Sequence, residues 1–200
     1  MPEFRNQPYA AFLFDMDGTL LDSSAVVERV WLTWARQHGI DANALLAALH
    51  GVRAEDTIRR FAGPSLDVAR ETEWILQAEL GDVEGVVALD GIGAFIARLD
   101  PSAWAVVTSA TLALATVRLR AANLPLPRVL ITAEDVQRGK PDPEGLLLAA
   151  SRLGVRIDQC LVFEDSPAGV AAAKAAGAHV AIVGGHVPSH EGHFSLLDYL

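Results

Sequence analysis

The sequence predicts an α/β protein: a parallel sheet covered by helices, interrupted once by a helical insertion. Three observations predict it. Short apolar runs recur along the chain, each followed by a segment of helical character, and the last three come at roughly the 20–30-residue spacing of βα units. Gly154 and Gly177 stand just past two of these helices, where a left-handed residue ends the turn. From about Asp22 to Ala88, by contrast, there is no convincing strand.

The elements follow in order. Phe12 to Asp15 lies in the run Ala11-Phe12-Leu13-Phe14 and enters a turn at Gly18; a continuous apolar run of that length reads as a buried strand. In the insertion, Val26, Val30 and Trp34 line a helix ending at Gly39, with Ile40 beyond. Leu45, Leu46 and Leu49 suggest a second helix, Ile58 with Phe61 a third, and Trp74 with Leu76 and Leu80 a fourth. The resulting division is a sheet-bearing core over 1–21 and 89–200 and a helical unit over 22–88, long enough for a small core of its own. The runs Trp104 to Thr108, Val129 to Thr132, Leu161 to Asp165 and His179 to Val183 then alternate with helices over Leu112–Ala122, Glu144–Leu153 and Pro167–Ala176. The tail from Gly184 to Leu200 is weakly patterned; the spacing of its His186, His190 and His193 could suggest a metal site, but no cysteine accompanies them and an i, i+4 pair of histidines alone is a weak signal beside solvated tail residues.

Composition narrows the function classes. With 51% hydrophobic and 20% charged residues the chain builds a real core. A net charge of −9 argues against nucleic acid, whose phosphates need a basic surface. An anionic substrate would need a local island of positive charge. Of the 16 basic residues only Lys140 and Lys174 are lysines, and Lys140 stands in a Gly-Lys-Pro turn. The single Cys160, in an apolar run, reads as a reduced core thiol. The N-terminus has no basic-then-apolar leader pattern and no apolar run reaches membrane-spanning length, so a soluble cytoplasmic protein is expected, and a monomer because this fold carries a self-contained core.

The chemistry sits at the strand ends. Asp15 and Asp17 are two residues apart, and the Gly18 turn is expected to bring both carboxylates to one site. Two acids held together need a cation between them or a shared proton, which points to a hard metal, to a nucleophile beside a general acid/base, or to both. Ligands in open parallel sheets bind beyond the carboxyl ends of the strands. Those ends carry Asp15 and Asp17, then Thr108 and Ser109, then Glu164 and Asp165, with Lys140 after the third run. Each alone is explained by helix capping or a surface turn; their joint occurrence on one rim is not.

These residues carry a resemblance. Asp15-Met16-Asp17-Gly18-Thr19, Val107-Thr108-Ser109, Gly139-Lys140-Pro141 and Phe163-Glu164-Asp165-Ser166 resemble, in order, the four motifs of haloacid dehalogenase superfamily hydrolases. The matching branch has a Rossmann-like parallel-sheet core with a small α-helical cap domain inserted after the first motif. The resemblance implies that Asp15 is the nucleophile that forms an aspartyl-phosphate and Asp17 the general acid/base. It implies that Mg²⁺ is held by the Asp15 carboxylate, the Asp17 backbone carbonyl and Asp165, with Glu164 acting through water. Lys140 would neutralise the phosphoryl oxygens and restrain Asp15, and a hydroxyl of Ser109 or Thr108, Ser109 being the first choice, would bind a phosphoryl oxygen. At an effective dielectric near 20 a like-charge pair at ~4 Å costs about 4 kcal/mol. Phosphate would meet at least three carboxylates, so activity should depend strictly on metal.

Within that family the chain most resembles small sugar and polyol phosphatases. Asp17 argues against dehalogenation, and an insertion without lysine against a Schiff-base phosphonate hydrolase. The histidine that β-phosphoglucomutases carry near the cap entry is absent around Val27. His50-Gly51-Val52-Arg53 with Asp56-Thr57-Ile58 resembles the cap loop of the sugar phosphatases, as does Trp104 to Ser109, and assigns His50, Gly51 and Arg53 to substrate contact. The expected activity is Mg²⁺-dependent hydrolysis of a small sugar or polyol phosphate. The alternatives are a β-phosphoglucomutase-like phosphotransferase and a non-catalytic sugar-phosphate sensor.

Overall fold

A computed structural model describes residues 1–64, 66–184, 194–196 and 199 of the chain. The tail histidines His186, His190 and His193 lie outside the described residues. A short hairpin, β1 (Glu3–Phe4) and β2 (Gln7–Pro8), precedes β3 (Ala11–Phe14). β4 (Leu21–Asp22) leads into α1 (Ser24–His38), α2 (Ala42–Leu46), α3 (Ala54–Phe61) and α4 (Val68–Leu80), and β5 (Val87–Ala88) leads out. Then follow α5 (Ile92–Ala97), β6 (Trp104–Val107), α6 (Leu112–Ala121), β7 (Leu130–Ile131), α7 (Glu144–Leu153), β8 (Cys160–Glu164), α8 (Pro167–Ala176), β9 (His179–Val183) and β10 (Phe194–Leu196).

Six strands form one parallel sheet in the order β10-β9-β8-β3-β6-β7. β3 is central and buried on both faces, which is why its sequence is continuously apolar rather than alternating. Period-two geometry sends Phe12 and Phe14 to one face and Ala11 and Leu13 to the other. On the first face Phe14 stacks on its register partner Phe163, centroids 4.6 Å apart, amid Phe95 and Trp104. On the second, Ala149 of α7 and Ala172 and Ala173 of α8 let helix and sheet approach closely. Cys160 is a buried free thiol, its pKa pushed up to about 11 by burial.

The helical insertion is present, with strand at its borders. β4 pairs antiparallel with β5, Leu21 opposite Ala88 and Asp22 opposite Val87, so its two ends leave the core side by side. Such two-residue ladders carry no period for a sequence to display. The buried face of α4 also differs from the expected one: Ile75 and Glu79 point inward, whereas Trp74 is 36% exposed. The face is set by Glu79, which accepts from the indole of Trp31 at 3.2 Å and lies 3.4 Å from the Arg118 guanidinium. Among the described residues no helix is long and apolar enough to cross a membrane.

Candidate active site

Register assembles the site. Phe14 pairs with Phe163 in parallel, so the next residues, Asp15 and Glu164, leave adjacent strands side by side, with Asp165 following. The Asp15 N–H donates to the Phe163 carbonyl at 3.0 Å, carrying the ladder one step past the strand. Lys140 arrives from the loop between β7 and α7; its Nζ donates to Asp15 Oδ1 at 2.5 Å and to Glu164 Oε1. One oxygen each of Asp15, Glu164 and Asp165 lie within 4.8 Å of one another, and all three residues are buried.

Glycines make room for these acids. At Gly18 φ is +80°, a left-handed value, and a Cβ there would sit 2.1 Å from Asp165 Oδ2. At Gly169, inside α8, a Cβ would lie 1.6 Å from Glu164 Oε1. Glu164 is further fixed by the Ser166 N–H at 2.8 Å and the Ser166 hydroxyl at 2.9 Å. Ser166, rather than Glu164 or Asp165, caps α8, accepting from Gly169 N at 3.0 Å. Thr19 donates to Asp165 Oδ1 at 3.3 Å.

Electrostatics show a deficit of positive charge. Burial pushes the Asp15 carboxyl well above its usual range; Lys140 pulls it back, and Glu164 and Asp165 push it further up. Asp165 is raised to about 7 by burial and then by the Glu164 charge. Burial alone would lower Lys140, but the Asp15 and Glu164 carboxylates outweigh it and hold the ammonium above the ordinary lysine value. One ammonium thus faces three carboxylates that offer only hard oxygen donors, a set that fits a hard divalent cation.

Asp17 departs from expectation. Its carboxylate is not in this group: Oδ1 accepts from Ser23 Oγ at 2.6 Å and from Arg118 Nη1 at 3.0 Å. The chain leaves extended geometry after Asp15, and Gly18 N donates to the Leu21 carbonyl at 2.7 Å, so the same-side rule for strand residues no longer holds at Asp17. Ser23, Arg118 and Glu79 were not foreseen. The signal for Arg118 lay in α6, where it occupies the buried stripe with Leu114, Ala115 and Leu119.

The two hydroxyls after β6 do different things. Ser109 Oγ donates to the Gly51 carbonyl at 2.8 Å, whereas Thr108 Oγ1 accepts from Ala110 N at 3.1 Å. Gly51, with φ +74°, lies against Ser166, whose Oγ would be 2.1 Å from a Cβ there. Arg53 reaches back from the insertion, donating to Asp56 at 2.7 Å and to the Gln137 carbonyl at 3.2 Å and leaving no room for a Cβ on Gly139. His50 is exposed on the turn before Gly51. A pocket lined by Arg53, Thr108, Ser109, Arg138, Lys140 and Asp142 gathers three cationic side chains, each paired with a carboxylate: Arg53 with Asp56, Arg138 with Asp142, and Lys140 with Asp15 and Glu164.

Residues 9–177 match the profile of a hydrolase family described as haloacid dehalogenase-like hydrolase. The chain is 46% identical over 176 residues to hexitol phosphatase A of Escherichia coli (strain K12), covering 86% of this chain and 82% of that protein. It is 35% identical to fructose-1-phosphate phosphatase YqaB of the same organism, covering 84% and 93%. The solved β-phosphoglucomutase of Clostridium difficile superposes with a TM-score of 0.82 over 96% of this chain and 92% of that one; at 18% identity the likeness is one of fold.

Proposed function

We propose, from the premise that this chain belongs to the haloacid dehalogenase-like hydrolase family and is a phosphatase of it, that it hydrolyses a small sugar or polyol phosphate with Mg²⁺. The observation that carries the reading is the buried Asp15 carboxylate held against Lys140 at the end of the central strand, beside Glu164 and Asp165. The relatives named as phosphatases of hexitols and of fructose 1-phosphate support the substrate class. Likeness to the mutase extends to fold alone, so it does not favour phosphotransfer.

Asp15 attacks phosphorus: an Oδ–P bond forms as the ester P–O bond breaks, and Asp17 gives its proton to the departing alcohol oxygen. Asp17, now ionised, takes a proton from water as that water attacks the aspartyl-phosphate. Phosphate leaves, Asp15 is restored as a carboxylate and Asp17 is again protonated. Lys140 faces the transferring phosphoryl group and keeps Asp15 ionised and oriented. Asp15, Asp165 and the Asp17 backbone carbonyl would hold Mg²⁺, with Glu164 acting through water; the ion supplies the positive charge that lets a phosphate approach these acids. Of the two hydroxyls we assign the phosphoryl contact to Thr108. Ser109 spends its proton on Gly51, whereas Thr108 only accepts, among the described residues.

Residues 22–88 act as a cap. The contacts of Gly51 with Ser109, and of Arg53 with Gln137, support a lid that meets the core at the pocket and excludes water during reaction. Arg53, which lines the pocket, and His50 are the residues we assign to substrate contact from the cap side. A reduced thiol fits a cytoplasmic setting. The test is a panel of phosphate esters (hexitol phosphates, fructose 1-phosphate, glycerol 1-phosphate) assayed for released phosphate with and without Mg²⁺. Turnover that requires Mg²⁺ and disappears in Asp15→Asn supports the reading; turnover that survives Asp15→Asn ends it.

A further inference from the structure

The Asp17 carboxylate has partners that the proposed reaction does not use. Arg118 is 4% exposed, in α6 of the core, and its Nη1 donates to Asp17 Oδ1 at 3.0 Å. Its Nη2 lies 3.4 Å from Oε2 of Glu79, which is 6% exposed and belongs to α4 of the insertion. Nε and Nη2 of Arg118 are buried without a hydrogen-bond partner of good geometry among the described residues. Glu79 accepts from Trp31 of α1, and Asp17 also accepts from Ser23 at the start of the insertion. A chain of contacts therefore runs Trp31, Glu79, Arg118, Asp17, Ser23, buried except at Asp17, whose side chain is 29% exposed, and it joins core to insertion at the acid/base.

A buried guanidinium is costly unless carboxylates pair with it, and an incompletely bonded one is costlier still. Leucine or methionine would fill that apolar stripe of α6 without the charge. The residue that stands there instead puts its one well-formed hydrogen bond on Asp17. We propose that Arg118 is a positioning residue for Asp17: it fixes the direction of the proton-transferring carboxylate and, through Glu79, makes that direction depend on where the insertion sits. The inference rests on the phosphatase reading and adds a residue to it. Arg118 does not line the pocket that holds Arg53, Arg138 and Lys140, and its hydrogen bond goes to Asp17.

The experiment uses leaving-group dependence. An alkyl phosphate needs its leaving oxygen protonated, whereas p-nitrophenolate departs without help, and kcat/KM isolates the step in which the ester breaks. Wild type, Arg118→Met, Arg118→Lys and the charge-neutral pair Arg118→Met with Glu79→Leu are compared on the alkyl ester turned over fastest in the panel and on p-nitrophenyl phosphate. The pair removes both buried charges together, so it guards against a single variant that fails to fold. The expected result is an alkyl-ester kcat/KM about tenfold or more lower, relative to p-nitrophenyl phosphate, in Arg118→Met and in the pair, with partial recovery in Arg118→Lys. Equal losses on both esters, or an unchanged ratio in folded variants, would overturn the inference. A wild-type protein that hydrolyses neither ester overturns the phosphatase reading, and this inference with it, and the wild-type control tells the two failures apart.

Discussion

Gly169→Ala sets helix propensity against the site. Gly169 lies in the first turn of α8, and by propensity alone alanine there should stabilise the helix by about 1 kcal/mol. The structure predicts the opposite. The new Cβ would lie 1.6 Å from Glu164 Oε1 and 1.9 Å from its carboxyl carbon. Glu164 is 1% exposed and is held by Lys140 and by two bonds from Ser166, so it has nowhere to go without breaking them. Overpacking of a filled interior costs about 1–3 kcal/mol. Net stability should therefore fall, by up to about 2 kcal/mol after the propensity gain is offset. The assay is urea unfolding of four proteins: wild type, Gly169→Ala, Glu164→Ala and the double variant. In the Glu164→Ala background the obstacle is gone and Gly169→Ala should become stabilising by about 1 kcal/mol, a coupling of about 1–3 kcal/mol across the cycle. If Gly169→Ala stabilises both backgrounds equally, the claim that this glycine exists to seat Glu164 is refuted.

Three other outcomes are expected. Lys140→Met should lower kcat by about 10²-fold or more and, by stranding buried carboxylates, cost about 3–5 kcal/mol in urea unfolding; a fully active variant would remove Lys140 from the chemistry. With divalent ions chelated, Asp165 binds a proton more tightly folded (about 7) than at the ordinary aspartate value of 3.8, so its contribution to stability is complete below about pH 4 and is lost as pH rises through about 7. That pH slope should be smaller in Asp165→Asn and in excess Mg²⁺, and unfolding curves that superimpose for all three samples would contradict it. Thr108→Val should raise KM for the phosphate ester or lower kcat more than Ser109→Ala does, as steady-state kinetics will show; the reverse order would return the phosphoryl contact to Ser109.

What the sequence disclosed depended on how far its signals travel. The strands Phe12 to Asp15 and Leu161 to Asp165 were readable because burial on both faces writes an unbroken apolar run, and α7 and α8 were bounded to the residue by Glu144, Pro167 and the following glycines. Asp15, Lys140, Glu164 and Asp165 were found because each sits at the end of such a run or in the loop after it, and parallel register then brings them together. The hairpin of β1 and β2, the β4–β5 ladder and α5 escaped because elements of two to six residues show no period. Glu79 and Arg118 escaped for a different reason. Each is a charge on a helix that reads as solvated by itself; the apolar stripe of α6 marks the Arg118 position as inward-facing, but the partner that makes it an interior pair stands 39 residues away in the chain, and only the fold brings the two together.

The scarcity of lysine has a practical side. Lys140 is ion-paired and buried, whereas Lys174 is exposed in the last turn of α8, the end opposite Ser166. At about 1.5 Å per residue that places Lys174 some 10 Å along the helix axis from Pro167. Acylating reagents at mild pH would therefore find the terminal amine and Lys174 and spare the ammonium at the nucleophile. A bead or dye coupled at Lys174 would leave the ammonium beside Asp15 unmodified.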